Sequence, residues 1–193
     1  DGPPGVGKST ACRHMVVRWQ ANTLWGAKFA AVLWLSLREL LAPQYKDLSL
    51  EQIIIEKCMV GRNKPTAEEV SRYLDANVSK VLFILDGYDE VVQVLDQHTH
   101  IQKMLQDIMT CPEYHVIMTS RPMLVNRIGT VDIKFDREVE NIGFTEQGVK
   151  EYVNLFNQEH AAELLEFLEK NPNIAAIARI PINLDLLCSV WTP

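Results

Sequence analysis

Apolar positions recur along the chain in two rhythms, one helical and one of short unbroken runs. Gly2 to Ser9 reads as a loop, and from Thr10 onward Cys12, Met15, Val16 and Trp19 keep the i, i+3, i+4, i+7 spacing of a helix with one buried face. Phe29 to Leu37 is a continuous apolar run of strand length, the pattern of a parallel strand covered on both faces. Leu50 to Cys58 and Thr66 to Leu74 read as helices. Each is introduced by a capping-box pair, Ser49 with Gln52 and Thr66 with Glu69, in which each side chain satisfies an orphaned amide. Val81 to Leu85 is a second buried strand. Ile101, Met104, Leu105, Ile108 and Met109 then form a helix face before a third strand, His115 to Thr119, and Val131 to Phe135 is a candidate for one more.

Strands separated by helices require right-handed crossovers, so the expected fold class is α/β with a mostly parallel sheet and helices on both sides. From Thr145 the pattern is wholly helical: Val149, Tyr152, Val153 and Phe156, then Leu164, Leu165 and Leu168, then Leu184, Leu187, Cys188 and Trp191. The joint falls at Glu138 to Thr145. This predicts an α/β core over residues 1–140 and a small, incomplete helical subdomain over 141–193. A chain of 193 residues accommodates one such core with a helical appendage.

Composition narrows the classes. The apolar share of 47% and charged share of 23% are those of a globular protein, and no apolar run reaches the 18 or so residues that span a bilayer. A net charge of −6 gives no basic field for nucleic acid, so a phosphate ligand has to be held by local geometry. Cys12, Cys58, Cys111 and Cys188 form no CxxC pair and read as reduced thiols. The sequence opens at Asp1 without an initiator Met, so a preceding segment is expected.

The chemistry concentrates in three segments. Gly2-Pro3-Pro4-Gly5-Val6-Gly7-Lys8-Ser9 fits G-x-x-x-x-G-K-[ST], a loop of backbone N–H groups around phosphate oxygens at a helix N-terminus. In that reading Lys8 reaches the β and γ phosphates of a nucleoside triphosphate and the Ser9 hydroxyl ligates Mg²⁺. The alternative is a Gly-rich turn that caps an ordinary helix. Val81 to Asp86 ends a buried strand in a carboxylate at the sheet's carboxyl edge, which makes Asp86 the expected Mg²⁺ partner. Asp89 and Glu90 follow one turn later, where a carboxylate can orient or deprotonate an attacking water, or simply cap the next helix. After the third strand, Arg121 places a guanidinium at the same edge, to sense a γ-phosphate or to form a surface salt bridge.

GPPGVGKST, LFILDGYDE and MTSRP, in this order and spacing, resemble the NACHT family of signal-transduction ATPases over most of the chain. LWLSLREL and VENIGFTEQGVKEYV also resemble the NACHT modules of nucleotide-binding leucine-rich-repeat receptors. The resemblance implies a P-loop NTPase core whose central strand precedes the loop and is missing from this chain. It implies ATP or ADP with Mg²⁺, slow hydrolysis and a nucleotide-dependent switch in innate-immune signalling. It also implies a cytoplasmic location, self-assembly through the module, and protein partners bound through flanking domains. It carries Gly2 to Thr10 over as nucleotide-binding residues and, through RIPINLDLLCSVW, nominates Pro181 as an adenine contact. Arg179 stands where the family has Gly, and Pro181 reads equally well as a helix-starting proline.

Two other classes fit the loop: a small-molecule kinase, for which no Arg-rich lid stands out, and a scaffold that holds nucleotide without turnover. Asn63-Lys64-Pro65-Thr66 lacks the Asp of a guanine-reading loop and reads as a helix cap. His98 and His100 have no third ligand at suitable spacing and read as loop histidines. Trp25, Trp34 and Trp191 read as core or edge packing.

Overall fold

A computed structural model describes residues 1–122, 135–156 and 158–191, with the backbone of Arg127–Ile128 and Val131–Asp132. Its contacts group the chain into two compact units, Ser9–Glu138 and Asp1–Lys8 with Val139–Pro193.

In the larger unit three strands, β1 (Ala31–Ser36), β2 (Val81–Asp86) and β3 (His115–Met118), pair in parallel in the order β1-β2-β3. The register runs from Ala31 opposite Val81 to Ser36 opposite Asp86, and from Leu82 opposite His115 to Leu85 opposite Met118. These strands are consecutive neighbours, so the strand that the resemblance places before the loop would not come between any of them. β1 is shorter than the apolar run that predicts it. Phe29 lies outside the ladder and is buried beside Trp25 and Val32.

The period of two along each strand decides what covers it. Leu33, Leu35, Val81, Phe83 and Leu85 share one core with Ile53 and Ile54 of α2 (Leu50–Cys58), Val70 and Leu74 of α3 (Ala67–Ala76), and Ile101, Leu105 and Ile108 of α5 (Thr99–Thr110). Between β2 and α5 lies the single turn α4 (Tyr88–Val91). Val32, Leu82 and Ile84 point the other way, onto Cys12, Met15, Val16 and Trp19 of α1 (Lys8–Gln20). Every residue of β2 is therefore buried, which is why its sequence is an unbroken apolar run up to the terminal Asp86. Burying a Leu, Ile or Phe side chain in this way stabilises by roughly 1.5–3 kcal/mol each.

Both predicted capping boxes are present. Ser49 Oγ accepts the Gln52 N–H at 3.3 Å and Thr66 Oγ1 that of Glu69 at 3.2 Å, and each partner side chain returns the bond at 2.8 Å. α1 begins at Lys8, two residues before the predicted start at Thr10 and inside the segment that reads as a loop. Two short strands, β4 (Arg127–Ile128) and β5 (Val131–Asp132), pair antiparallel; the rest of the predicted strand to Phe135 includes residues outside those described.

The smaller unit contains α6 (Glu146–Phe156), α7 (Ala161–Lys170), α8 (Pro172–Ala178) and α9 (Pro181–Val190). Val149, Val153, Leu164, Leu168, Leu184 and Cys188 form its core, with Trp191 packed at the margin. α8 and α9 each start on a proline at the first helical position, where a missing N–H costs nothing. Residues 139–144 run beside the opening residues of the chain. The Asp1 backbone nitrogen donates to Val139 O at 2.6 Å, Asn141 N–H to Asp1 O at 2.7 Å, and Phe144 N–H to Arg179 O at 2.7 Å.

Candidate nucleotide-binding site

In the smaller unit the loop from Gly2 to Lys8 is held from both sides. Gly5 and Gly7 have φ of 74° and 91°, in the left-handed region that favours glycine. A Cβ on Gly5 would also collide with the Ile182 side chain of α9, and one on Gly2 would lie 2.7 Å from Asn141 O. Val6 is buried, and its carbonyl accepts from Asn141 Nδ2 at 3.4 Å; its backbone is thereby fixed while its side chain serves the core. The Lys8 ammonium curls back onto the loop, donating to Gly2 O at 2.6 Å and Pro3 O at 3.1 Å.

Lys8 opens α1, whose first turn contains no acidic residue. A cation at a helix N-terminus opposes the helix dipole, so this arrangement is unfavourable for the helix alone and favourable for an anion. Ser9 and Thr10 follow with exposed side chains. Pro181 occupies the first position of α9, as its helix-starting reading requires, and the Ile182 N–H approaches Gly5 O at 3.4 Å. Arg179 caps α8 and approaches Glu146 at 3.4 Å.

In the larger unit Asp86 ends β2 and is only 6% exposed. Its Oδ1 accepts the Thr119 hydroxyl at 2.6 Å and the Cys12 thiol at 3.8 Å. Burial, and then the charge of Asp86, push the Cys12 thiol up to about 12, so it stays protonated and remains a donor. Thr119 Oγ1 in turn accepts the Gly87 N–H at 2.9 Å. Gly87, with φ of 83°, makes the sharp turn from β2 into α4.

Asp89 and Glu90 lie in α4 and each meets an arginine. Asp89 Oδ2 is 2.9 Å from Arg121 Nε, and its Oδ1 accepts the Arg121 backbone N–H at 3.1 Å. The Asp89 side chain is 11% exposed, against 59% for Arg121. Glu90 Oε2 lies 3.3 Å from Arg38 Nη1 in a more exposed pair. Two of the three predicted reactive groups, Asp89 and Arg121, thus come together as an ion pair.

Neither Thr119 nor Cys12 had a site role from the sequence. Thr119 had a weak signal as the last residue of the predicted third strand, although the observed strand stops one residue earlier, at Met118. Only the register, with Leu85 opposite Met118, sets its hydroxyl beside Asp86. Cys12 carried the helical periodicity of a core residue and nothing more. His98 and His100 stack edge to face at 5.7 Å, and no cluster of three or more His, Cys, Asp or Glu side chains suited to a metal occurs among the described residues.

A parallel sheet flanked by helices, with a G-x-x-x-x-G-K-S loop opening a helix and a strand ending in Asp, defines an α/β P-loop NTPase core. The NACHT domain family model matches residues 1–160, and the chain belongs to that family. It is therefore a nucleotide-binding module. Among its relatives it is 25% identical to the bovine (Bos taurus) NACHT, LRR and PYD domains-containing protein 3 over 97% of this chain and 19% of the relative. It is 25% identical to the human (Homo sapiens) NACHT, LRR and PYD domains-containing protein 10 over 97% and 29%. It is 29% identical to the mouse (Mus musculus) NACHT, LRR and PYD domains-containing protein 1b allele 4 over 98% and 22%. The chain thus spans less than a third of the length of these curated relatives.

Proposed function

We propose that the module binds ATP or ADP with Mg²⁺ and acts as a nucleotide-dependent switch in a cytoplasmic signalling protein of innate immunity that assembles with copies of itself. The observation that carries the nucleotide reading is Lys8. Its ammonium rests on two carbonyls of its own loop, at a helix N-terminus that lacks any acidic side chain, so an anionic phosphate exchanges for weak acceptors. Gly2 to Thr10 would hold the phosphates, and Pro181 would contact the base.

The residues present suit Mg²⁺, a hard cation that takes oxygen ligands and is held by one carboxylate plus phosphate. Ser9 offers a hydroxyl. Asp86 offers a carboxylate in which Oδ1 has two donors while Oδ2 receives no hydrogen bond among the described residues. When bound, the ion would neutralise charge on the phosphates.

Hydrolysis, in this reading, is slow. Asp89 is engaged twice by Arg121, and Glu90 is paired with Arg38, so neither carboxylate is a free base in this state. In the ATP-bound switch Arg121 would be the group that senses the γ-phosphate. The loop also touches α9 through Gly5 and Ile182, which links phosphate occupancy to helix packing within the smaller unit. The same pairing of both carboxylates favours, as a second reading, a module that holds nucleotide without turnover.

Titration of the full-length protein with fluorescent ATP and ADP tests the nucleotide reading. Lys8→Ala should weaken ATP binding at least about tenfold, the loss of a charge-assisted contact. Unchanged affinity in that variant removes the assignment of the loop.

A further inference from the structure

We propose that Thr119 is a positioning residue for metal binding: its hydroxyl holds Asp86 Oδ1 and leaves Oδ2 as the carboxylate oxygen that meets Mg²⁺. This rests on the nucleotide and Mg²⁺ reading above and assigns a further residue to that site.

The direction of each hydrogen bond follows from the donors present. Gly87 N–H can only donate, so Thr119 Oγ1 accepts it at 2.9 Å. The threonine proton is then free for Asp86 Oδ1, 2.6 Å away, a length typical of O–H donation to an ionised carboxylate. The Thr119 backbone is fixed as well. Its N–H donates to Leu85 O at 2.9 Å, and its carbonyl accepts the Tyr88 N–H at 2.9 Å. Thr119 therefore ties the last residue of β2 to the turn that follows it, and its branched side chain has little rotational freedom. The Cys12 thiol adds a second, weaker donor to the same oxygen.

Two donors on one oxygen of a nearly buried carboxylate leave the other oxygen as the one with no hydrogen-bond donor among the described residues. A carboxylate free to rotate could offer Mg²⁺ either oxygen, in several orientations. One fixed by Thr119 offers a single oxygen in one orientation, which suits an ion that demands near-ideal octahedral geometry.

The test uses the full-length protein and two readouts, fluorescent ADP binding in Mg²⁺ and in EDTA, and Mn²⁺ binding by electron paramagnetic resonance. Thr119→Val exchanges the hydroxyl for a methyl group of similar size. It should raise the Mg²⁺ or Mn²⁺ concentration for half-saturation about tenfold, the range seen when groups that orient metal ligands are lost. Nucleotide affinity in EDTA should change less than about twofold, since the phosphate loop is untouched. Thr119→Ser should retain metal binding within about threefold, because it keeps the donor. Should Thr119→Val not fold, Thr119→Ser against Thr119→Ala makes the same comparison, both lacking the methyl group and differing only in the hydroxyl. A metal requirement that is the same with and without the hydroxyl overturns the proposal, as does an equal loss in Mg²⁺ and in EDTA. A wild-type protein that binds nucleotide without regard to metal overturns this proposal and leaves the nucleotide reading standing. One that binds no nucleotide overturns both.

Discussion

Single residues show how closely conformation and chemistry are coupled in this molecule. Gly5 combines a left-handed φ with a Cβ position already taken by Ile182, so Gly5→Ala strains the backbone and displaces a packed side chain together. Its expected destabilisation is about 1–3 kcal/mol in urea denaturation, the range for a non-glycine residue held at such a φ. Cys12 is silent chemically because it is buried. With its thiol pushed to about 12 it stays protonated at pH 8, and Cys58, pushed to about 11, does the same. Iodoacetamide at pH 8 should leave both unlabelled in the folded protein and label both in denaturant, read by mass spectrometry. The sign of the pH effect follows. A thiol raised from 9.0 to about 12 contributes stability that is fully present below 9.0 and is lost as pH rises toward 12. Cys12→Ala should therefore flatten the alkaline fall in stability. Asp89 and Arg121 meet as an ion pair, so the stability losses of Asp89→Asn and Arg121→Ala in urea denaturation should not add in the double variant.

Elements are held by local chemistry at their ends and by burial along their length. Thr66→Ala removes the cap from α3 and should cost about 1 kcal/mol, measured by the shift in the urea midpoint at constant slope. In the central strand β2 the penalty is larger. Phe83 is fully buried and packs edge to face on Tyr114 with centroids 5.0 Å apart, so Phe83→Ala should cost about 3–5 kcal/mol. The edge strand β1 is blunted by side chains instead. Tyr73 Oη donates to Ala30 O at 3.1 Å, and the Cys58 thiol to Trp34 O at 3.6 Å, which occupies acceptors that a foreign strand would otherwise take.

Across the whole molecule, each unit closes an apolar core of its own. Leu33, Phe83, Leu85 and Leu105 belong to the larger, and Val153, Leu164, Leu184 and Cys188 to the smaller. The opening loop belongs by its contacts to the smaller unit, even though Lys8 also begins the helix that continues into the larger. Among the described residues no single helix is long and apolar enough to cross a membrane.

Periodicity and end signals make most elements legible in the sequence alone. Runs such as Val81 to Leu85 read as buried strands because burial on both faces leaves no polar position, and the capping boxes were visible because they are strictly local, three residues from cap to partner. The loop that opens α1 and the acidic end of β2 were legible for the same reason, since each lies in a contiguous motif. What tertiary structure alone decided depends on groups far apart in sequence. The Thr119 hydroxyl reaches Asp86 across 33 positions and the Cys12 thiol across 74, and the Asp89 carboxylate is taken up by Arg121 rather than left free. A motif specifies which groups are present within a few residues of one another, but strand register and packing determine which of them meet and which oxygen of a carboxylate remains open.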